Sequence, residues 1–444
     1  MLPRILALGV AAGAVLATLS APAPAVPMGG VPTCAWPVVT NAEQFNVAYP
    51  DTSATYWTTP FQYQPGMTLT ISGSFPEARF FSLNTYDDTF GAFTVNGVSS
   101  ALVDYQIDPD PGSINPWQSS AASGETEQYT VVAQDEIPGS SNALPIAPSG
   151  TVANSLGYLI LRVYLPEGAF SEVPLPTITA AGPAGTVSIE PCSEGQRTSP
   201  DEVNGALPAA LQEAVSAGAQ LQSHAKDPAD GGSGPCRGAA CPPRLAFFRA
   251  TAAATNAVFP NSATAYVSAI MRPRPGRVVV VRGKAPRTPA RPAPGTEPVV
   301  WPQQRYQLRY FSLCTNLYRR PWPVVLNTSP GGATDPGCRA DNETAVDGKG
   351  RYHYVVARER QQPLVERWRS ATFVPSANRE RRLRELLILR NMLPASGFTR
   401  SAASAPQNSS PTSAAKAMRA YYPRAVSCPV DLYRAAGPNS CFRR

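Results

Sequence analysis

Carboxylates are the residues of this chain best suited to chemistry, because histidine is nearly absent. The two histidines are His224 and His353, and no serine lies in the GxSxG setting typical of many Ser-His-Asp hydrolases. We therefore expect His353 to be a partly exposed strand residue with a structural role. The chain also lacks a Walker loop and a GxGxxG element, so we expect no cofactor.

Asp87, Asp88 and Asp104 could supply the two carboxylates of a glycosidase, one as the acid and one as the base or nucleophile. Tyr86 and Trp117 could stack on a sugar ring, although both side chains would also suit the border of a protein core. A secreted carbohydrate-active enzyme that uses carboxylates of the first half is therefore one candidate function.

Oxygen ligands cluster in the segment VDYQIDPDPGSINPW, at 103–117. Carboxylates and amides in one loop could hold calcium, but two prolines break the EF-hand spacing and no acid closes the loop. The chain has no CxxC pair for zinc either, so we expect no metal. Asp, Asn, Pro and Gly are turn residues, which favours a turn-forming role for Asp104, Asp108, Asp110 and Asn115.

Two distant segments spell almost the same strand, LILRVYLP at 159–166 and LILRNMLP at 387–394. Four more blocks repeat in the same order, which indicates an internal duplication. They are NVAYPDTSATYW with NAVFPNSATAYV and PGMTLTISGSFP with PGRVVVVRGKAP, both 210 residues apart, ARFFSLNTY with LRYFSLCTN at 230, and YTVVAQDE with HYVVARER at 224.

These blocks are rich in β-branched and aromatic residues and are separated by Gly, Pro, Asn and Asp clusters, a pattern typical of strands. We therefore predict an all-β protein of two tandem, duplicated, jelly-roll-like β-sandwich domains with a short helical linker. One segment conflicts with this, because ANRERRLRELLILRNML locally favours helix. Its counterpart in the first half contains Gly157 and Tyr158, so we predict a strand in both.

Arg162 and Arg390 occupy the same position in the two copies of this strand. Alternation places each arginine on the face opposite to the leucines that flank it. Either the two arginines are solvated and cover the sheet with their stems, or each is an ion-pair partner at a cleft. Asp87 is the expected partner of Arg162 in the second case.

The N-terminus combines Arg4, an apolar run and an Ala-Pro-Ala site at 23–25, which predicts a signal peptide at 1–25 and export. A retained N-terminal anchor is the alternative. No later stretch has the length of a transmembrane helix. The domains then follow as 27–195, a linker with one helix at 196–240, a second sandwich at 241–400, and a Ser/Ala/Pro-rich tail with a cysteine-closed loop at 401–444.

Eight cysteines in an exported chain suggest disulfides, although sequence alone permits 105 pairings. Cys34 and Cys192 flank the whole first repeat, and the others lie close together in pairs along the chain. Sequential pairing is therefore expected, as Cys34–Cys192, Cys236–Cys241, Cys314–Cys338 and Cys428–Cys441.

The formal charge of +7 hides two oppositely charged halves. Residues 27–192 hold fifteen acids against two arginines, a net charge of −13, whereas residues 236–444 hold 33 Lys and Arg against ten acids, a net charge of +23. The halves could dock on each other, or the basic half could face outward toward an anionic surface or an envelope glycan. Export makes a nucleic-acid partner unexpected despite the arginine runs.

Three segments, FFSLNTYD (80–87), NALPIAP (142–148) and LRVYLPE (161–167), resemble the WSLTLYD, NWLPAP and LRLYxP signatures of a bacterial jelly-roll domain family of unknown function. Ala143 stands where that family has tryptophan. The second half, with RYFSLC and LRNMLP, is similar to secreted actinobacterial proteins. The resemblance implies the fold and an exported location, and it supplies no catalytic residues.

The sequence thus predicts a secreted or envelope-associated, non-catalytic protein that binds an anionic or glycan component of the cell envelope. Its candidate binding residues are Tyr86, Asp87, Trp117, Arg162 and Arg390.

Overall fold

The computed structural model describes residues 31–119, 126–137, 142–183, 185–198, 244–250, 259–290, 299–302, 305–319, 322–328, 332–378 and 384–443. Strands far outnumber helices in this part of the chain, which confirms the all-β prediction. The signal peptide predicted at 1–25, the helix predicted in the linker, His224 and the Cys236–Cys241 pair lie outside the described residues.

The first half forms two packed sheets. Its strands are β1 (Val38–Thr40), β2 (Ala54–Gln62), β3 (Thr68–Ser74), β4 (Ala78–Tyr86), β5 (Thr94–Val95), β6 (Val98–Ser99), β7 (Ala101–Val103), β8 (Gln128–Gln134), β9 (Ala143–Pro145), β10 (Leu156–Pro166), β11 (Thr177–Gly182) and β12 (Gly185–Ile189). One sheet has the order β1-β2-β10-β4-β7, the other has the order β12-β11-β3-β8-β9, and β5 and β6 form a separate hairpin.

The core of this first sandwich lies between its two sheets. Leu159, Leu161 and Val163 of β10 are buried there against Ile71 and Val131 of the facing sheet. These residues alternate along their strands, so each strand gives one face to the core. Full burial of such a side chain stabilises the fold by about 1.5–3 kcal/mol.

The second half forms two further packed sheets. Its strands are β13 (Arg244–Leu245), β14 (Thr264–Met271), β15 (Arg277–Lys284), β16 (Leu308–Leu317), β17 (Leu326–Thr328), β18 (Thr334–Pro336), β19 (Cys338–Ala340), β20 (Arg351–Ala357), β21 (Thr372–Pro375), β22 (Glu385–Pro394) and β23 (Arg424–Pro429). The sheet orders are β14-β22-β16-β19 and β13-β23-β15-β20-β21, and β17 pairs with β18 alone.

In the part of the chain that the structure describes, the helices are short and lie mainly near the C-terminus. They are α1 (Gln362–Glu366), α2 (Pro411–Met418) and α3 (Val430–Ser440), and α3 is interrupted at Gly437, whose φ is 70°. Within the described ranges, no helix combines the length and apolar character needed to cross a bilayer.

The segment that locally favours helix is a strand from Glu385 onward, as predicted, and its residues 379–383 lie outside the described residues. Residues 385–392 pair with β14 on one side and with β16 on the other. Leu387 and Leu389 point into the core of the second sandwich. Burial between two neighbouring strands therefore outweighs the helix propensity of Arg, Glu and Leu.

Four strands of each sheet have the same order in the two sandwiches, whereas the edge strands β1, β12 and β13 differ. The order β2-β10-β4-β7 matches β14-β22-β16-β19, and β11-β3-β8-β9 matches β23-β15-β20-β21. In both, the last pair of the second sheet is parallel.

The register of one repeated block differs from the sequence comparison. Tyr129 lies opposite Gly73, and Tyr352 lies opposite Gly283 at the matching position. The true separation of this block is therefore one residue smaller than the predicted offset, and Tyr129 matches Tyr352 and not His353. The sequence comparison was shifted by one residue because identical residues in an alignment do not show which face of a strand is buried.

The segment 401–444 belongs to the second sandwich and is not a separate tail. Its strand β23 lies between β13 and β15 in the sheet. Met418 of α2 and Ala425 of β23 are part of the core. The boundary predicted at residue 400 was wrong because the Ser/Ala/Pro-rich composition around residue 405 is typical of a tail, although the strand β23 follows it.

Three of the four expected disulfides lie within the described residues, with the expected pairings. Cys34–Cys192 joins the two ends of the first sandwich, Cys314–Cys338 links the neighbouring strands β16 and β19, and Cys428–Cys441 links β23 to the residue that follows α3.

Loss of the Cys34–Cys192 disulfide should destabilise the protein more than loss of Cys428–Cys441. The first bond closes a loop of 158 residues and the second a loop of 13, for which loop-closure entropy gives about 5 and about 3 kcal/mol. Thermal unfolding of the two double Cys→Ala variants, without reductant, measures the difference. A smaller loss for Cys34→Ala/Cys192→Ala would contradict the expectation.

Candidate functional site

The sheet faces that point away from the two cores meet each other. Tyr164 of β10 and Tyr310 of β16 pack edge to face, with ring centroids 5.4 Å apart. Strands β10 and β22 are therefore buried on both faces. The apolar junction between the sandwiches is formed by Ala54, Phe80, Val103 and Tyr164 from the first and by Ala263, Tyr310, Ala340 and Met392 from the second.

Among the described residues, three ion pairs cross this junction, and each joins an arginine of one sandwich to an aspartate of the other. Their attraction is stronger than at a surface because the junction excludes water. The shortest Nη1–Oδ2 distances are 3.0 Å for Arg309–Asp104, 2.8 Å for Arg79–Asp341 and 3.8 Å for Arg390–Asp51.

The Arg309–Asp104 pair is the most deeply buried, because both side chains are 0% exposed. Burial lowers the pKa of Arg309 to about 10 and raises the pKa of Asp104. The attraction between the two groups opposes both shifts. The N–H groups of Phe81 and Tyr105, which donate to Asp104, oppose the rise in the pKa of Asp104. Desolvation is thus costly, and it is offset only while both partners are present.

Trp117 covers this pair and is not available to a sugar. Its side chain is buried, and its ring centroid lies 3.4 Å from Cζ of Arg309. Trp301 lies on the same guanidinium at 4.8 Å. The prediction that Trp117 stacks on a ligand was wrong because the ring stacks on a cation of the other sandwich.

Arg162 also lies in the junction. It is 3% exposed, so it is not a solvated strand residue. Its Nη2 donates to the carbonyl oxygen of Phe259 in the second sandwich at 2.7 Å, and its Cζ lies 5.3 Å from the ring centroid of Tyr86 and 5.6 Å from that of Tyr56. The guanidinium of Arg162 is thus stabilised by aromatic rings and by a backbone carbonyl.

Arg390 makes the reciprocal contact. Its Nη2 donates to the carbonyl oxygen of Tyr49 in the first sandwich, and Tyr49 matches Phe259 in the repeat. Both have a left-handed backbone, with φ of 60° and 52°. Such reciprocal contacts are typical of isologous interfaces. The acids differ, since Arg390 faces Asp51, which Asn261 replaces at the matching position of the other sandwich.

Asp87 does not pair with Arg162. Its Oδ1 accepts hydrogen bonds from the N–H groups of Thr89 and Gly91 at 2.9 and 2.8 Å, which holds the turn after β4. The expected ion pair was wrong because the turn uses the carboxylate locally. Tyr86, beside it, is buried, and its hydroxyl donates to the carbonyl oxygen of Pro260.

Tyr86 and Asp87 border a cleft of about 190 Å³ in the first sandwich. Asp88 lies there too, but Asp104 does not join them. Asp104 accepts from the N–H of Phe81, six residues before Asp87 along β4, which corresponds to about 20 Å of strand. The three acids proposed for a glycosidase therefore do not converge.

The polar residues of 103–117 hold turns. Asn115 donates to the carbonyl oxygens of Asp104 and Ile107 and accepts from the N–H of Trp117. Elsewhere in the described residues, Asp51, Cys314 and Cys338 lie close enough to share an ion. The two sulfur atoms form a disulfide, so they offer no thiolate ligands.

His353 is buried and not partly exposed as predicted. Its Nε2 lies 3.1 Å from Oδ1 of Asn439 in α3, and burial lowers its pKa. The prediction failed because α3, which covers this strand, follows it by about 80 residues.

Glu385 is a buried acid at the start of β22. Its Oε1 accepts from Oγ of Ser376 at 2.7 Å and from the N–H of Ala377 at 3.2 Å. Burial raises its pKa to about 7, and the two hydrogen bonds only partly oppose the shift. Glu385 therefore changes protonation near neutral pH.

A second cleft, the arginine cleft, lies at one end of the second sandwich. It opens between the β14–β15 turn and the segment after β20, and no signal in the sequence joined these distant segments. Burial and the neighbouring Arg274 lower the pKa of Arg277, as expected where cations crowd together. The arginines that line the arginine cleft are Arg272, Arg274, Arg277, Arg358 and Arg360.

No protein-family model and no curated protein matches the chain. Similar solved structures include an uncharacterised protein from Burkholderia cenocepacia, with 11% identity, a TM-score of 0.47, and 89% of this chain and 82% of that one covered. A Vibrio parahaemolyticus protein has 11% identity and a TM-score of 0.38, with coverage of 85% and 89%. Similarities at this level carry no statement about function.

Substitution of Asp104 by asparagine should destabilise the protein by about 3–5 kcal/mol, because it leaves Arg309 buried without its counterion. The double variant Asp104→Asn/Arg309→Met should recover most of that loss. Denaturant unfolding of the single and double variants measures both effects. A double variant no more stable than Asp104→Asn would contradict a charge-based role for this pair.

Glu385→Gln should make stability less dependent on pH. The pKa of Glu385 is higher in the folded protein, about 7, than its ordinary value of 4.5. The folded state thus binds the proton more tightly, and stability falls as pH rises through this range by up to about 3 kcal/mol. Unfolding at pH 5 and pH 8 measures the difference, which Glu385→Gln should lose.

The exposed Glu366 provides the matched control, and Glu366→Gln should leave the pH dependence unchanged. An equal pH dependence in wild type and Glu385→Gln would show that Glu385 does not titrate in this range.

Proposed function

We propose that this protein is secreted and binds an anionic component of the cell envelope through its second sandwich. The main support is surface charge. In the described part of the second sandwich, sixteen Lys and Arg residues are exposed, against three exposed acids, Glu343, Glu366 and Asp431. A surface of this kind concentrates polyanions and accelerates their association.

The junction does not neutralise this surplus. The arginines of the second sandwich in the cross-junction ion pairs are Arg309 and Arg390, and both are buried. The exposed cations are other residues, so contact between the halves and attraction of an external anion are compatible.

The first sandwich has the opposite surface. Among its described residues from 31 to 192, eight acids are exposed and no Lys or Arg is. A polyanion is repelled by this surface, which would orient the molecule with its second sandwich toward the ligand. The acidic half thus favours one direction of approach.

Internal duplication of a jelly-roll-like domain is our proposal for the origin of the two halves. The repeated blocks, the shared strand orders and the reciprocal arginine contacts support it. The disulfides and the N-terminal apolar segment support export.

The alternative, a carbohydrate-active enzyme, has less support. Asp87 and Asp88 border the cleft of the first sandwich. Asp87 is engaged by its own turn and Asp104 by Arg309. A hydrolysis screen on purified protein tests this alternative, and activity lost in Asp87→Asn would establish it in place of binding alone.

Binding to purified cell walls should weaken as salt rises, since exposed charges are screened. Arg367→Gln/Arg369→Gln/Arg400→Gln should be released from pelleted walls at lower NaCl concentration than wild type. The matched control Gln44→Glu/Gln106→Glu/Gln128→Glu changes the net charge equally, on exposed residues of the first sandwich, and should be released close to wild type. Pelleting that ignores salt would refute the proposal.

A further inference from the structure

We propose that the arginine cleft binds a phosphate group, of the kind carried along a phosphodiester or polyphosphate chain. The inference rests on the proposed function and assigns its ligand and its site. Arg272, Arg274, Arg277, Arg358 and Arg360 all line this one depression.

Two of the arginines are held in place by the protein. Arg277 donates through Nε to Oγ of Ser427 at 2.7 Å. Arg358 donates through Nη1 to the carbonyl oxygen of Asn378 at 2.9 Å. Each guanidinium has five N–H donors, so these bonds orient the groups and leave further donors for a ligand.

The first sandwich shows that the fold does not require these arginines. Asp135 stands at the position of Arg358, where its carboxylate accepts from the hydroxyl of Tyr63 and the N–H of Gly66 and so holds the turn. The second sandwich has a cation at this point. The residues that match the five arginines are Gln62, Gln64, Met67, Asp135 and Ile137.

Like charges in one depression repel each other and destabilise the free protein. An anion bound among these arginines reduces that repulsion, so their crowding favours binding of an anion. The two sandwiches thus differ in charge at this end, where the second has five arginines and the first has one aspartate among the matching residues.

Phosphate suits this cleft in both chemistry and size. Guanidinium groups form paired N–H···O bonds with phosphate oxygens, in a planar geometry that lysine lacks. The centres of water-sized groups can occupy about 30 Å³ in this cleft, which is more than one water molecule needs. The cleft is open to solvent and small, so it suits one phosphate of a chain whose remainder stays in solvent.

Calorimetric titration of the full-length mature protein with linear polyphosphate tests the site. Arg274→Gln/Arg360→Gln removes two exposed cleft cations and should weaken binding by about tenfold or more. The control Lys416→Gln/Arg443→Gln removes the same charge at exposed positions outside the cleft and should weaken binding by less than about threefold. Neither variant should unfold at a lower temperature than wild type, because all four side chains are exposed and removal of cleft cations reduces their mutual repulsion.

The outcomes separate the site from the general function. Equal weakening by the two variants, or wall binding without polyphosphate binding, would refute the cleft and leave the proposed function standing. No binding to either polyphosphate or cell walls would refute both. A titration with polyglutamate should show weaker binding, and equal affinity for both polymers would overturn the assignment to phosphate.

Discussion

Burial of β10 and β22 on both faces is the constraint on which the rest of the structure depends. One face of each strand is apolar and fills the core of its own sandwich. The other face carries an arginine, which cannot stay buried without hydrogen-bond partners. Arg162 and Arg390 each find an acceptor on the opposite sandwich. The repeated arginine is therefore explained by the junction, and neither half alone provides that acceptor.

The chain uses its charges in two separate ways. Inside the junction, aspartates and arginines of opposite halves are paired where desolvation makes a missing partner costly, which favours one orientation. Outside it, the surplus cations of the second half and the acids of the first half remain exposed. The interior charges thus specify how the halves fit, whereas the exterior charges carry the proposed affinity for anions.

Local sequence patterns correctly predicted those structural features that are determined by residues close together in the chain. Alternation revealed the strands, and the repeat correctly resolved β22 against its helix propensity. Contacts between distant residues were not predictable in this way. Trp117 and His353 are buried by elements far along the chain, Asp87 is engaged by its own turn, and the arginine cleft joins segments that only the strand order brings together.

The position of β23 determines when, during synthesis of the chain, the second half can fold. This strand, near the C-terminus, lies inside a sheet whose other members come from as early as residue 244. The sheet can therefore be completed only after almost the entire chain has been synthesised, whereas all strands of the first sandwich are available by residue 189. The first half can therefore form its sheets while the ribosome is still translating the second, and a stop codon near residue 400 would remove β23 and leave one sheet of the second half incomplete.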